Sequence, residues 1–217
     1  MSDIEQDRKQ PSPPVVTLFE SYGSGAGVIG PLVADALGMP FHEQAFSSEQ
    51  LERNAELREK EGLLVRVFSA MGSSSFGGVD VGDVSSAQRD SYDLVMHNTA
   101  TVQQWARIGG VIVGRNGAFI LADWPTALHV KLDGPVKQRI ARAAQEAGIS
   151  LDRAGRRQKN EDKIRADMSI ELYGWDPRDP TRYDLVVNTG RMDLDACVDI
   201  IAQAYRAKLA HPMRRAS

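Results

Sequence analysis

The chain has 217 residues, a formal net charge of −3, and ordinary apolar and charged fractions of 42% and 25%, which suit one soluble α/β domain with room for an inserted subdomain. The charge gives no reason to expect nucleic acid or an anionic membrane as a partner, and no apolar run approaches the roughly 20 residues of a membrane span. The single cysteine, Cys197, excludes an internal disulfide and fits a reducing, cytoplasmic setting; it falls in the apolar pattern of the last helix, as a packing thiol does.

Residues 1–14 are polar and proline-containing, with no apolar signal core, and read as a disordered tail. An apolar strand over 15–19 then runs into Glu20-Ser21-Tyr22-Gly23-Ser24-Gly25-Ala26-Gly27-Val28-Ile29-Gly30. A strand that feeds a glycine-rich loop and then a helix is how α/β proteins hold phosphate, because loop amides and the helix N-terminus supply positive potential without side chains. Residues 29–37 read as a helix closed by Gly38, with Pro31 where proline is tolerated. A short strand is expected over 39–42, and a charged helix over 48–64 with Ser47 or Ser48 as N-cap. Residues 70–83, rich in Gly and Ser, read as a long loop. The stretch 86–107 has helical spacing, with Leu94, Val95, Val102 and Trp105 on or near one face, and offers a surface for a homodimer.

A buried strand follows over 110–114, another over 127–132, a helix over 135–147 ended by Gly148, and a strongly charged helix over 151–170. Residues 174–182 are turn-rich, 185–188 form the last strand, 194–209 the last helix, and 211–217 a tail. Strands that alternate with helices predict a largely parallel sheet covered on both faces. Ligands in such sheets bind at the carboxyl ends of the strands, so the glycine loop, the segment after Val113 and the segment after Leu132 share one rim.

Two ligand-binding readings of the glycine loop compete, beside that of a plain glycine-rich turn with no ligand. Gly25-Ala26-Gly27-Val28-Ile29-Gly30 fits G-x-G-x-x-G, and Glu43 lies near the distance of a ribose-binding acid, which suggests a dinucleotide site. The lead-in from Glu20 to Ser24 between strand and motif instead fits a loop wrapped around phosphate. In that second reading the binding positions are Gly23, Ser24, Gly25, Ala26, Gly27 and Val28, and the lysine of a standard Gly-Lys-Ser/Thr ending is missing. Arg115, just past the middle strand, stands on the same rim, where its planar fork suits a phosphate. The run Arg153, Arg156, Arg157, Lys159, Asp162, Lys163, Arg165 has the character of a solvated helix face, or of a mobile arginine-rich lid that closes over a transferred group. The four histidines lack metal-ligand spacing, so no metal ligands are assigned; His129 reads as a core residue, and Trp175 as packing or as a cap on a nucleotide.

The Gly-Ser-Gly turn with Ile29-Gly30 after the first strand, Val111-Ile112-Val113-Gly114-Arg115, and Asp162-Lys163-x-Arg165 resemble the cytidylate kinase-like family. So do Tyr173-Gly174-Trp175-x-Pro177, Asp179-Pro180, Tyr183-Asp184-Leu185 and Asn188-Thr189. The resemblance runs from about Val15 to Tyr205. It implies a three-layer P-loop NTPase fold with a parallel five-stranded sheet in a single domain over 15–210, an acceptor-side helical insertion over 47–107 and a lid over 148–182. It further implies ATP with Mg2+ as phosphoryl donor, a pyrimidine monophosphate as acceptor, and a nucleoside monophosphate kinase as the function. The same loop without its lysine also suits a nucleotide- or phosphate-binding protein that does no chemistry. By position, Ser24, Gly25 and Gly27 would line the donor phosphates. Arg115 would grip the acceptor phosphate, Asp162 and Arg165 would contact the acceptor nucleotide, and Arg157 would belong to the lid cations. The chain departs from that pattern at Val28, near the place of the lysine, at Phe19-Glu20 where Ser-Arg is common, and at Asn116 where an aspartate follows the arginine.

Overall fold

Six residues, Val15–Glu20, form the central strand β1 of the computed structural model, which describes residues 12–44, 48–49 and 84–211. Helix α1 (Ala26–Leu37) leads to the short strand β2 (Phe41–His42), and helix α2 (Val84–Ile108) leads to β3 (Gly110–Val113). A single turn α3 (Gly117–Ile120), strand β4 (Ala127–Asp133), helices α4 (Val136–Ala147) and α5 (Leu151–Tyr173), strand β5 (Leu185–Asn188) and helix α6 (Leu194–Ala210) complete the order.

The five strands are all parallel and lie in the order β2-β3-β1-β4-β5. Alternate residues of each strand face opposite ways, and both faces are apolar. Val16, Leu18, Val111, Val130 and Leu132 pack against Ile29 and Val33 of α1 and Ile201 and Tyr205 of α6. Val15, Ile112 and Ala127 pack on the other side against Val102 and Ala106 of α2. The result is the expected three-layer α/β fold. The strand order also removes the dinucleotide reading: in that fold the second strand lies beside the first, whereas here β3 separates them.

Several boundaries differ from the sequence reading for local reasons. Helix α1 starts at Ala26, before its apolar period begins, because Gly25 in the left-handed region (φ 87°) ends the loop and turns the chain into the helix. Helix α5 runs on to Tyr173 and is closed by left-handed Gly174. The turn α3 was not expected; it follows from left-handed backbone at Asn116. His129 and Cys197 are buried as anticipated, with His129 Nδ1 2.8 Å from Thr17 Oγ1. Beyond Ser48 and Glu49, which are helical, the helix expected over 48–64 and the loop over 70–83 lie outside the described residues, as do residues 1–11 and 212–217.

Candidate anion-binding site

The first turn is held by the protein's own side chains. The Tyr22 amide donates to Asp162 Oδ1 at 2.7 Å, and the Ala26 amide, the first of α1, donates to Glu20 Oε2 at 3.2 Å. Arg139 donates to the Tyr22 carbonyl (2.8 Å) and to Asp162 Oδ2 (3.0 Å), and Arg142 donates to the Gly23 carbonyl (3.0 Å) and to Thr189. Gly23 must be glycine: its φ is +75°, and a Cβ there would lie 2.3 Å from the Arg139 carbonyl oxygen. The Ser24 amide bonds back to Ser21, and that of Val28 to Gly25. Among the described residues, the amides of Gly23, Gly25 and Gly27 have no internal partner.

The register of the turn moves the missing lysine. In G-x-x-x-x-G-K-S/T the last glycine immediately precedes the lysine at the helix start. Here that glycine is Gly25, which puts Ala26 at the lysine position and Gly27 at the hydroxyl position. Val28 is the third residue of the helix and is 40% exposed. A magnesium–ATP complex does not fit this turn as it stands. The ammonium and the hydroxyl are both missing, and two carboxylates are hydrogen-bonded to amides of the turn.

Glu20 also faces Arg165, at 3.6 Å from Oε1 to the guanidinium, and Arg165 is in turn 2.9 Å from Glu161 Oε2. The Glu161 and Arg165 side chains are 1% and 10% exposed, yet among the described residues Glu161 Oε1 and Arg165 Nε have no hydrogen-bond partner. Two carboxylates thus share one buried guanidinium. Burial pushes the Glu20 carboxyl above the usual carboxylate range, outweighing the pull of Arg165 and of the Ala26 amide. Burial alone would lower Arg165, but Glu20 and Glu161 overcome it and hold the guanidinium charged.

At the end of β3, Arg115 and Asn116 both have left-handed backbone, with φ of 55° and 56°. For a residue with a Cβ this costs roughly 1–2 kcal/mol, and asparagine tolerates it best. Side chains hold the turn in place. Asn116 Oδ1 accepts from Ser169 Oγ (2.6 Å) and Trp175 Nε1 (3.0 Å), and the Arg115 carbonyl accepts from Asn98 (2.9 Å). The Arg115 guanidinium lies over the Trp105 ring, 4.8 Å from its centroid, and its Nε donates to the Glu43 carbonyl at 3.4 Å. No carboxylate among the described residues pairs with it, and burial pulls it below the usual arginine range.

Arg115, Arg165 and Glu20 line one cavity of about 60 Å³, partly open to solvent, with an apolar wall that includes Phe19, Leu94 and Tyr173. At roughly 10–15 Å³ for each water-sized group, that is room for a phosphate group; a whole nucleotide would extend beyond it.

Of the residues singled out in the sequence, the cavity brings together Arg115 and Arg165. Asp162 points to the first turn and also accepts from Gln158. Arg157 is buried, paired with Glu49 Oε1 at 3.0 Å and bonded to the Tyr22 hydroxyl. The charged helix is therefore solvated on one side only: Arg156–Asp152 and Lys163–Asp167 pair at the surface, while Arg157, Glu161 and Arg165 turn inward. Trp175 is 3% exposed and bonded to Asn116, so it packs and does not cap a ligand. Sequence reasoning missed the parts played by Arg139, Arg142 and Glu20. An acid directly before a glycine turn was the available signal for Glu20. Among the described residues, no three potential metal ligands cluster and no helix is long and apolar enough to cross a membrane.

Five parallel strands in this order, with a glycine turn after the central strand, define a P-loop-type α/β kinase fold. Within that class, the cytidylate kinase-like family matches residues 15–191, and the chain belongs to it. A uronate isomerase of Corynebacterium glutamicum is 33% identical over 136 residues, covering 62% of this chain and 26% of that protein. A cytidylate kinase of Methanopyrus kandleri is 31% identical over 137 residues, covering 58% and 70% of the two chains. A cytidylate kinase of Thermococcus kodakarensis is 33% identical over 94 residues, covering 43% of this chain and 48% of that one. The matches thus span from about a quarter to 70% of these relatives. An uncharacterized protein from Eubacterium ventriosum shares the fold, with a TM-score of 0.63 at 18% identity over 90% of this chain and 99% of that one.

Proposed function

We propose that this chain binds a phosphomonoester, with a pyrimidine nucleoside monophosphate as the first candidate, and that it does not transfer a phosphoryl group from ATP while the first turn is held by Glu20 and Asp162. The observation that carries the binding half is Arg115: a guanidinium on strained backbone, lining a phosphate-sized cavity, with no carboxylate of the described chain to neutralise it. A bidentate arginine–phosphate contact would supply that countercharge. The bonds from the Tyr22 and Ala26 amides to carboxylates support the other half. Removing one preorganised charge from a transition state costs roughly 3 kcal/mol, or about a hundredfold in rate, and here both the ammonium and the hydroxyl are missing.

The second reading, a nucleoside monophosphate kinase that uses ATP and Mg2+, is favoured by membership of the cytidylate kinase-like family and by the kinase relatives. A coupled assay with ATP, magnesium and CMP separates the two. The binder predicts no turnover above background, with CMP raising the melting temperature of the wild type. Arg115→Ala should abolish that rise, and Arg115→Lys, which keeps the charge and loses the fork, should retain a part of it. Turnover abolished by Arg115→Ala would establish the kinase instead.

A further inference from the structure

We propose that Glu20 is a gate on the first turn: its carboxylate occupies the place of an external oxyanion, and the turn takes a sulfate or phosphate group once Glu20 is neutral. The proposal deepens the anion-binding reading above and rests on it for the class of ligand.

Glu20 engages two kinds of donor that hold oxyanions, a helix N-terminal amide at Ala26 (3.2 Å) and a guanidinium at Arg165 (3.6 Å). Those donors are not used up by it. Among the described residues, Arg165 Nε is unpartnered although the side chain is nine-tenths buried, and the amides of Gly23, Gly25 and Gly27 have no internal partner. A carboxylate has two oxygens and is tethered to β1. A tetrahedral oxyanion is larger and brings more acceptors to the same donors.

The charge count explains why the gate must be neutral. Glu20 faces Arg165 and Glu161 from α5, the Ala26 amide from α1 and Glu146 from α4. Asp162 lies on the same turn, paired with Arg139. An entering dianion beside a charged Glu20 and Glu161 would set three anionic groups around one guanidinium. With Glu20 protonated or replaced, the Ala26 amide is released and Arg165 keeps Glu161 and Gln44 as its partners, with one carboxylate fewer beside it. Burial, which already favours the protonated carboxyl, places the switch above the usual carboxylate range.

The test uses the full chain and sulfate, whose charge is constant across the working pH range. Isothermal titration compares the wild type with Glu20→Gln, with Glu20→Gln/Arg115→Ala, and with Glu171→Gln, an exposed α5 acid whose loss changes the net charge equally. At about pH 8, Glu20→Gln is expected to bind sulfate roughly tenfold tighter, as removal of a close like charge requires, and Glu171→Gln less than about twofold tighter. The gain should survive in the double variant, which places the ion at the turn and not at Arg115. Wild-type affinity should rise as pH falls to about 5.5, and that of Glu20→Gln should rise far less. A folded Glu20→Gln that binds no tighter than wild type, or a gain lost with Arg115, overturns the gate. Should Glu20→Gln fail to fold, the wild-type pH series decides, and a flat series overturns it. CMP binding and its loss in Arg115→Ala report on the pocket separately, so either proposal can fail while the other stands.

Discussion

Arg115 and Asn116 show how a functional side chain is aimed at the cost of backbone strain. Two consecutive left-handed residues with side chains would revert to an ordinary turn unless something held them. Here the holder is Asn116 Oδ1, which accepts from a buried hydroxyl and a buried indole. Asn116→Ala strips the buried Trp175 indole of its acceptor, leaves the Ser169 hydroxyl only the Arg165 carbonyl, and puts a less tolerant residue at φ 56°. It should therefore destabilise the fold by about 2–4 kcal/mol, read as a lower midpoint in urea with an unchanged slope. A change below about 1 kcal/mol would mean that the turn is not held there. The importance of Asn116 could be read from the chain only as a departure after Arg115; its partners, Ser169 and Trp175, lie far along the sequence and are brought close by α5.

At the scale of elements, β1, β3, β4 and β5 were legible because each is a short apolar run ended by a turn signal, and buried parallel strands need no polar alternation. The start of α1 was not legible, since Ala26 and Gly27 add nothing to an apolar period and the boundary is set by the backbone of Gly25. The charged face of α5 misled for a related reason: composition does not say which charges turn inward, and Glu161 and Arg165 go in as a pair, with Arg165 also met by Glu20 and Gln44 from other parts of the chain. The glycines of the first turn separate into those that geometry requires and those that it does not. Gly23→Ala would drive a Cβ to 2.3 Å from the Arg139 carbonyl on backbone that disfavours it, whereas at Gly27 nothing lies within 4 Å. Gly23→Ala should cost about 3 kcal/mol or more or prevent folding. Gly27→Ala should be neutral or stabilise by up to about 1 kcal/mol through helix propensity. Thermal denaturation of the two variants checks this, and equal effects would contradict the geometry.

For the molecule as a whole, the buried titratable groups give stability opposing slopes with pH. The Glu20 carboxyl is raised by burial, so its contribution is fully present below the ordinary carboxylate value and is lost as pH rises through the folded one. His129 is lowered by burial, so its contribution is lost in the other direction, as pH falls below the ordinary histidine value. Glutamine at position 20 does not titrate. The melting temperature of Glu20→Gln relative to wild type should therefore climb by about 2–4 °C between acid and alkaline pH, while the fall on the acid side of neutrality attributed to His129 remains in both proteins. Parallel curves would show that Glu20 titrates in the folded protein as it does in the open chain.

The bond from the Tyr22 amide to Asp162 fastens the strongly charged helix α5 to the loop at the head of β1. At 2.7 Å it tolerates little sliding, since one residue of helical travel is about 1.5 Å. Helix α5 and the glycine turn must therefore move as one body or part company altogether. Hydrogen–deuterium exchange distinguishes these: the Tyr22 amide should open at the rate of α5 and with the same denaturant dependence, and an amide that exchanges freely while α5 stays protected would show the two to be uncoupled.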